Sequence, residues 1–186
     1  MSPAAVRERA GVTDRIVPDD KDWTWVLERP CPECGFDAAT VDPAAVGDLV
    51  RDNASAWQQV LSSPTVRDRP SPDRWSPLEY GCHVRDVLRV YLERLGLMLT
   101  EDGPHYPNWD QDATAIEDDY ANQSPVAVAV ELTKAATALA DRFDTVDGQQ
   151  WQRTGFRSDG ASFTIDTFAR YFVHDPIHHL WDVRGA

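Results

Sequence analysis

The sequence predicts an all-α fold, a four-helix bundle preceded by an irregular N-terminal segment. Apolar residues recur at helical spacing in four segments, and three helices have a clear start signal, a Ser or Asp followed directly by proline. No set of segments alternates as the strands of a sheet would. A chain of 186 residues is long enough for one domain with its own core. Four helices of this length are expected to bury their apolar stripes against one another.

The first 42 residues are predicted to form an N-terminal arm. Residues 1–22 are polar and lack clean periodicity, so we expect them to be loose or draped over the domain. Residues 23–41 contain Trp23, Trp25 and a turn rich in Cys, Pro and Gly. That stretch is too apolar for a free linker and too broken for a helix. We expect it to pack along the bundle, which would occupy residues 43–186.

The first two helices have distinct start signals. Asp42 and Pro43 open the first helix, which should end before residue 64. Residues 76–79 (SPLE) form a capping box with proline at the first helical position, and a long apolar stripe follows them. Gly-Pro at residues 103–104 ends this second helix.

The rest of the chain supplies two more helices. Residues 104–123 are acidic and aromatic and are predicted to be a loop with a short helix in its middle. Ser124 and Pro125 open the third helix. Residues 148–160 are rich in turn formers and could form a short hairpin. The fourth helix is predicted from about residue 162 to residue 183.

The composition excludes several classes of function. The chain has 31 acidic and 18 basic residues, a formal net charge of −13. A protein that binds nucleic acid or an anionic membrane needs a basic surface, so neither partner is expected. The sequence contains no apolar run long enough to span a membrane and no signal-peptide pattern at its start. We therefore expect a cytoplasmic protein.

Histidines on the fourth helix indicate a metal site. His174 and His178 are four residues apart, which places their rings one turn apart on the same helix face. Such a pair alone is weak evidence, because a packed or interfacial pair has the same spacing. A third ligand would be needed, and His83, early in the second helix, is the best candidate. His105 lies in a predicted loop, and His179 projects toward the aliphatic face, where a structural role is expected.

The surroundings of these histidines leave alternatives open. Tyr171 and Trp181 share their face and would line a pocket, although core packing explains them nearly as well. Pro176 lies between the two histidines, where it either kinks the helix for packing or aims both rings toward the second helix. Asp86 and Glu79 lie one turn after and before His83, so either could orient its ring. A solvated face is the alternative for both, and Glu79 fits its capping role better.

The turn Cys31-Pro32-Glu33-Cys34-Gly35 resembles a zinc knuckle. A knuckle needs two more ligands, and the chain has no second Cys-x-x-Cys pair. Cys31 and Cys34 could therefore be inert structural thiols, a second metal site or disulfide, a redox couple, or part of the active site. Cys82 points away from its neighbour His83 and is expected to pack in the core.

These motifs together resemble the DinB/YfiT-like metalloprotein family. The resemblance lies in residues 75–79 (WSPLE) followed by His83, and in the late His174-x-x-x-His178 pair that leads into residues 180–181 (LW). It covers about residues 43–185. Each motif is weak alone, but their combination in four helices of the right order is fairly specific.

The resemblance implies a bundle with up-down-down-up topology, often dimeric, that binds a divalent ion such as zinc or nickel. The ligands implied by position are His83, His174 and His178. Relatives of known activity are transferases or isomerases that use a low-molecular-weight thiol such as mycothiol, bacillithiol or glutathione, and many relatives have no known activity. This implies a thiol-using enzyme acting on a small electrophile, with a possible homodimer. The alternative is a non-enzymatic metal or redox sensor that uses Cys31 and Cys34.

Overall fold

The computed structural model describes residue 16 and residues 22–184, and five α-helices dominate it. Four of them are long and form a bundle, and one short helix lies in the connection between the second and third long helices. Their bounds are α1 (Val46–Leu61), α2 (Pro77–Thr100), α3 (Gln111–Glu117), α4 (Pro125–Phe143) and α5 (Ile165–Arg184). The predicted all-α four-helix bundle is therefore confirmed, including the short helix between the second and third long ones.

The long helices pack in the order α1, α4, α2, α5 around the bundle. Helix α4 packs against α1 and α2, and α5 packs against the same two helices from the other side. Large side chains with almost no exposed surface fill the space between them: Trp57, Leu78, Leu95, Leu132, Phe168 and Phe172. Each contributes about 1.5–3 kcal/mol through burial. This arrangement makes α2 and α5 neighbours, so His83 faces the histidines of the last helix.

The start of α2 is fixed by the predicted capping box. The Ser76 hydroxyl accepts a hydrogen bond from the Glu79 amide, and the Glu79 carboxylate accepts one from the Ser76 amide at 2.8 Å. Arg69 donates two further hydrogen bonds to the same buried carboxylate. These contacts account for both oxygens of Glu79 and confirm its capping role. They also hold the first turns of α2, which carry His83.

A three-stranded sheet lies beside the bundle, which the sequence did not predict as a whole. Its strands are β1 (His105–Tyr106), β2 (Thr154–Arg157) and β3 (Ser162–Thr164). Strand β1 pairs with β2 in parallel, and β2 pairs with β3 in an antiparallel hairpin. Because residues 162–164 pair with β2, the last helix begins at residue 165 and not at residue 162.

The described part of the N-terminal arm packs on α5. It contains two 3-10 helices, Thr24–Leu27 and Ala38–Thr40, and a third (Pro43–Ala45) leads into α1. Both arm helices contact α5, and Arg170 donates a hydrogen bond to the carbonyl of Ala38 at 2.7 Å. Most of the stretch predicted to be loose, residues 1–15 and 17–21, lies outside the described residues.

Among the helices in the described part of the chain, none combines the length and the apolar character that crossing a bilayer requires.

Candidate functional site

Helix α5 carries two pairs of candidate ligands on adjacent faces. His174 and His178 form one pair, and Asp175 and His179 form the other, each with a spacing of four residues. Because one residue rotates a helix by about 100°, the two pairs point to different neighbours. The helix continues through Pro176, whose carbonyl accepts a hydrogen bond from the side-chain amide (Nδ2) of Asn53 at 2.8 Å.

The first cluster joins α2 to α5. One ligand atom from each of His83, Asp175 and His179 lies within 4.8 Å of the others. His83 is fully buried, and neither of its ring nitrogens has a hydrogen-bond partner. Its Nε2 is 3.5 Å from Oδ1 of Asp175, which is also buried without a hydrogen bond. Buried polar atoms without partners are costly, so this donor set suits a bound cation.

Neighbouring side chains fix the orientation of this cluster. Trp109 stacks on the His83 ring, with centroids 5.5 Å apart and planes 11° apart, and Trp75 contacts the same ring. Asp182 lies 3.0 Å from Nδ1 of His179. That contact leaves the Nε2 of His179 directed toward Asp175, at 3.9 Å from its Oδ1. The carboxylate of Asp182 thus orients a ring nitrogen toward the centre of the cluster.

Asp175 is ionised at neutral pH. Burial would raise the pKa of this carboxyl group, but attraction to the His83 and His179 rings outweighs that effect and lowers the pKa to about 2. The cluster therefore presents two imidazoles and one carboxylate, a donor set typical of catalytic zinc sites.

The second cluster joins the N-terminal arm to α5. One ligand atom from each of Cys31, Cys34, His174 and His178 lies within 4.8 Å of the others. The Cys31 sulfur is 3.7 Å from Nδ1 of His178. The Nε2 of His174 is buried without a hydrogen-bond partner. A Cys2His2 set at this spacing is the donor set of structural zinc sites.

Burial controls the protonation of the second cluster. It lowers the pKa of His174 to about 4, with repulsion from His178 adding to the effect, so the imidazole is neutral at pH 7. Burial also raises the pKa of the Cys34 thiol to about 11, against a smaller opposing effect of the Phe36 amide. Without a cation both groups are uncharged near neutral pH.

A cavity of about 960 Å³ opens beside the first cluster. Asp175, His179, Trp109 and Tyr171 line it, as do His174 and His178 of the second cluster and residues from the arm. About a third of the Asp175 side chain remains exposed, although its Oδ1 is buried. The wall also carries the cationic side chains of Arg94 and Arg157. The first cluster therefore borders the cavity through Asp175 and His179, whereas His83 is fully buried. The cavity size is typical of ligand sites.

The structure places the three predicted ligands in two clusters. His83 lies with Asp175 and His179, whereas His174 and His178 lie with the cysteines of the arm. Sequence reasoning overlooked Asp175 and gave His179 a structural role. The Asp175–His179 spacing of four residues was the signal that could have found them, because carboxylates are ligands as well.

Other predicted site residues have defined partners. Asp86 accepts hydrogen bonds from Arg85, Arg89 and Tyr120 within the core, so its carboxylate is engaged away from the His83 ring. Tyr171 lines the cavity.

The remaining candidates lie as follows. Trp181 packs against His178 at 5.5 Å between ring centroids. Cys82 is fully buried, as expected for a packing residue. His105 lies in β1 and stacks on Phe156.

Comparisons with known proteins agree with the fold. The family model for the DinB superfamily matches residues 47–183. The structure also resembles that of YfiT from Bacillus subtilis, described as "a probable metal-dependent hydrolase with an unusual four-helix bundle topology". The TM-score is 0.67 at 18% sequence identity, over 76% of this chain and 85% of that one. No curated protein matches the sequence. Since the family model spans well over half of the sequence, the chain belongs to the DinB superfamily.

Proposed function

We propose that the protein is a metal-dependent enzyme that activates a low-molecular-weight thiol for attack on a small electrophile, as a transferase or isomerase. The observation that carries this proposal is the cluster of His83, Asp175 and His179 at the edge of a cavity of about 960 Å³. The sequence predicts that His174 and His178 share a metal ion with His83. In this proposal Asp175 and His179 take that place, because their side chains lie beside His83.

The donor set fits a divalent ion with open coordination positions. Two imidazoles and one carboxylate supply three ligands, whereas structural sites use four. Such an ion, when bound, lowers the pKa of a coordinated thiol or water and polarises a carbonyl group. Nitrogen and oxygen donors suit zinc and nickel among the common divalent metals.

Neighbouring side chains position the His83 and His179 rings. Asp182 contacts Nδ1 of His179 at 3.0 Å, and the Nε2 of that ring lies 3.9 Å from Asp175. Trp75 and Trp109 cover the His83 ring and keep water from that side of the centre. The exposed part of Asp175 faces the cavity, where a substrate would approach.

The cavity wall carries charges of both signs, from eight carboxylates and three guanidinium groups. Arg157 lines the cavity and contacts the Tyr171 hydroxyl at 3.2 Å, and Tyr171 lies one helical turn before Asp175. Arg94 is buried in the same wall and donates a hydrogen bond to the Pro107 carbonyl at 2.8 Å. Arg157 already pairs with Asp159 at 2.8 Å, so the wall as a whole does not select a negatively charged substrate.

The size of the cavity favours two small molecules over one molecule and a water. A volume of about 960 Å³ lies at the upper end of the range for single-ligand pockets. Both a thiol and an electrophile fit such a space. Hydrolysis, the activity attributed to the Bacillus subtilis protein, would need only the electrophile and a water, and it is the alternative outcome of the test.

The test combines metal analysis with a thiol panel. Untagged protein is analysed for metal, loaded with zinc or nickel, and assayed with a small electrophile in the presence of mycothiol, bacillithiol or glutathione. We expect turnover only with a thiol, and a loss of about 10³-fold in kcat/KM for His83→Ala. His105→Ala, on the small sheet, is the control and should retain activity. Turnover without any thiol would replace this proposal by hydrolysis, and equal activity of His83→Ala would remove the proposed centre.

The alternative of a redox sensor has weaker support. A sensor thiol reacts as the thiolate, but burial raises the pKa of Cys34 to about 11, which leaves very little thiolate at neutral pH. The mass of the chain after oxidant treatment tests this alternative, since a Cys31–Cys34 disulfide removes two hydrogens. The predicted homodimer and cytoplasmic location stay predictions.

A further inference from the structure

The cysteine turn of the arm and one histidine pair of α5 form a cluster that the proposed reaction does not use. The Cys31 and Cys34 thiols face His174 and His178, with all four ligand atoms within 4.8 Å of one another. These residues come from segments about 140 positions apart. The contact between Cys31 and His178 is therefore made by tertiary structure and not by a local turn.

We propose that Cys31, Cys34, His174 and His178 bind a structural zinc ion that fastens the N-terminal arm to the last helix. Four donors would complete the tetrahedral shell that Zn²⁺ prefers, so no position is left for substrate. This ion would be distinct from the one proposed among His83, Asp175 and His179. It would stabilise the packing of the arm on the last helix and would take no part in the reaction.

The distances support a four-coordinate ion. With Zn–S bonds of about 2.3 Å and Zn–N bonds of about 2.0–2.1 Å, the ligand atoms of a tetrahedral site lie about 3.3–3.8 Å apart. The Cys31 sulfur and the His178 Nδ1 are 3.7 Å apart, which is one edge of such a tetrahedron. The buried Nε2 of His174 has no hydrogen-bond partner and would gain one bond to the ion.

The turn between the cysteines has the geometry of a knuckle. The Gly35 amide donates a hydrogen bond to the Cys31 carbonyl at 3.0 Å, and the Cys31 amide donates one to the Phe36 carbonyl at 2.8 Å. Gly35 has a φ of +74°, which a residue with a side chain rarely adopts. This turn brings both sulfurs to the same side of the chain, toward α5.

The second nitrogen of His178 has the outer contacts expected of a zinc ligand. Its Nδ1 faces Cys31, whereas its Nε2 lies 3.4 Å from a Glu33 carboxylate oxygen and 3.8 Å from one of Asp182. A carboxylate on the far nitrogen fixes the tautomer that leaves Nδ1 free to bind a metal. Glu33 lies between the two cysteines, so the turn itself supplies this contact.

Aromatic rings cover the cluster. Trp23 lies 5.4 Å from His174 and 5.3 Å from His178 between ring centroids, and Phe36 lies 5.3 Å from His174. An apolar cover strengthens the bonds between an ion and its ligands by excluding water. Binding would release the protons of the two thiols, and two thiolates would neutralise the charge of Zn²⁺.

The experiment isolates this site from the one in the cavity. Untagged His83→Ala/His179→Ala protein is loaded with zinc, dialysed, and examined by elemental analysis and zinc-edge X-ray absorption. We expect one zinc per chain, with two sulfur ligands at about 2.3 Å and two nitrogen ligands at about 2.0–2.1 Å. A shell of nitrogen and oxygen only, or no retained zinc, would overturn the proposal.

Matched cysteine variants guard against loss of folding in that double variant. In the otherwise unchanged chain, Cys31→Ser/Cys34→Ser should lose one zinc per chain, while Cys82→Ser, at the remaining cysteine, should lose none. Cys34→His should keep the ion and show one sulfur ligand in place of two. Equal zinc content in the Cys31→Ser/Cys34→Ser and Cys82→Ser proteins would overturn the proposal, as would a Cys31–Cys34 disulfide whose reduced form takes up no zinc.

Discussion

The two ligand clusters of α5 differ in the element that faces each of them. The pair Asp175 and His179 faces α2, which adds one ligand, His83. The pair His174 and His178 faces the N-terminal arm, which adds two cysteines. The pairs are offset by one residue, about 100° around the helix axis. Helix α5 thus presents one pair of donors to α2 and another to the arm. The cluster at α2 has three donors and the cluster at the arm has four.

The number of donors and the surroundings separate the expected roles. Three donors leave coordination positions for substrate, whereas four donors leave none, although His174 and His178 line the cavity as well. The carboxylate of Asp182 contacts both clusters, at 3.0 Å from His179 and 3.8 Å from His178. One cluster is therefore expected to govern turnover and the other to govern stability, with Asp182 as their common support.

The largest expected effect is a loss of folding stability when the ion proposed for the second cluster is removed. This group of Cys31, Cys34, His174 and His178 is called the cysteine cluster below. A ligand present at 1,000 times its Kd stabilises the folded state by about 4 kcal/mol. For a chain of this length that free energy corresponds to a fall in Tm of about 8–16 °C. We expect this fall in Cys31→Ser/Cys34→Ser protein, and in wild-type protein treated with a strong chelator, measured by scanning calorimetry.

The control for this prediction keeps the cysteine cluster and removes the other. In His83→Ala/His179→Ala protein the chelator should still lower Tm by a similar amount. If the chelator has no effect on Tm in that background, the stabilising ion does not lie among the cysteines.

The second largest expected effect is a loss of turnover when the first cluster is changed. This group of His83, Asp175 and His179 is called the cavity cluster below. Asp175→Asn replaces an anionic ligand by a neutral one of the same shape, so the ion is held less tightly. We expect kcat/KM to fall about 10²-fold, a change of about 2.7 kcal/mol in activation free energy. The zinc of the cysteine cluster should remain. Steady-state kinetics with matched metal analysis measures both, and a loss of both ions would show that the clusters are not separate.

Most of the fold could be predicted from the sequence because its signals are local. The capping box at Ser76 and Glu79 and the prolines that open the long helices depend on neighbouring residues only. The sheet was missed for the opposite reason. Strand β1 has two residues and pairs with β2 about 50 positions later, so no local alternation marks it.

The two proposed ligand sets could not be predicted for a related reason. The spacing of four residues is satisfied by His174 and His178 and equally by Asp175 and His179. Which pair meets His83 depends on the rotation of α5 against α2, which is set by packing across the whole bundle. The Cys31–Cys34 turn resembles a zinc knuckle in sequence, but the two histidines proposed as its further ligands lie on α5, far away in sequence.

A smaller effect on both clusters is expected from their shared carboxylate. Asp182→Asn keeps an oxygen near His178 and His179 but removes its charge, so both rings become weaker ligands. We expect the zinc affinity of each cluster to fall about tenfold. Competition with a chromophoric chelator measures both affinities. Asp166→Asn, elsewhere on α5 and paired with Arg170, is the control and should change neither. Weakening at one cluster alone would assign Asp182 to that cluster.

The smallest expected effect comes from Glu33, whose carboxylate contacts His178 of the cysteine cluster. Its carboxylate lies 3.4 Å from the His178 Nε2, but half of its side chain is exposed, so solvent screens the interaction. We expect Glu33→Gln to lower zinc affinity at the cysteine cluster about two- to fivefold and to leave the cavity cluster unchanged. Glu28→Gln, at an exposed position of the same arm, is the control. An equal fall in zinc affinity at both clusters would mean that the arm supports the cavity cluster as well. The two clusters of α5 would then not have separate roles.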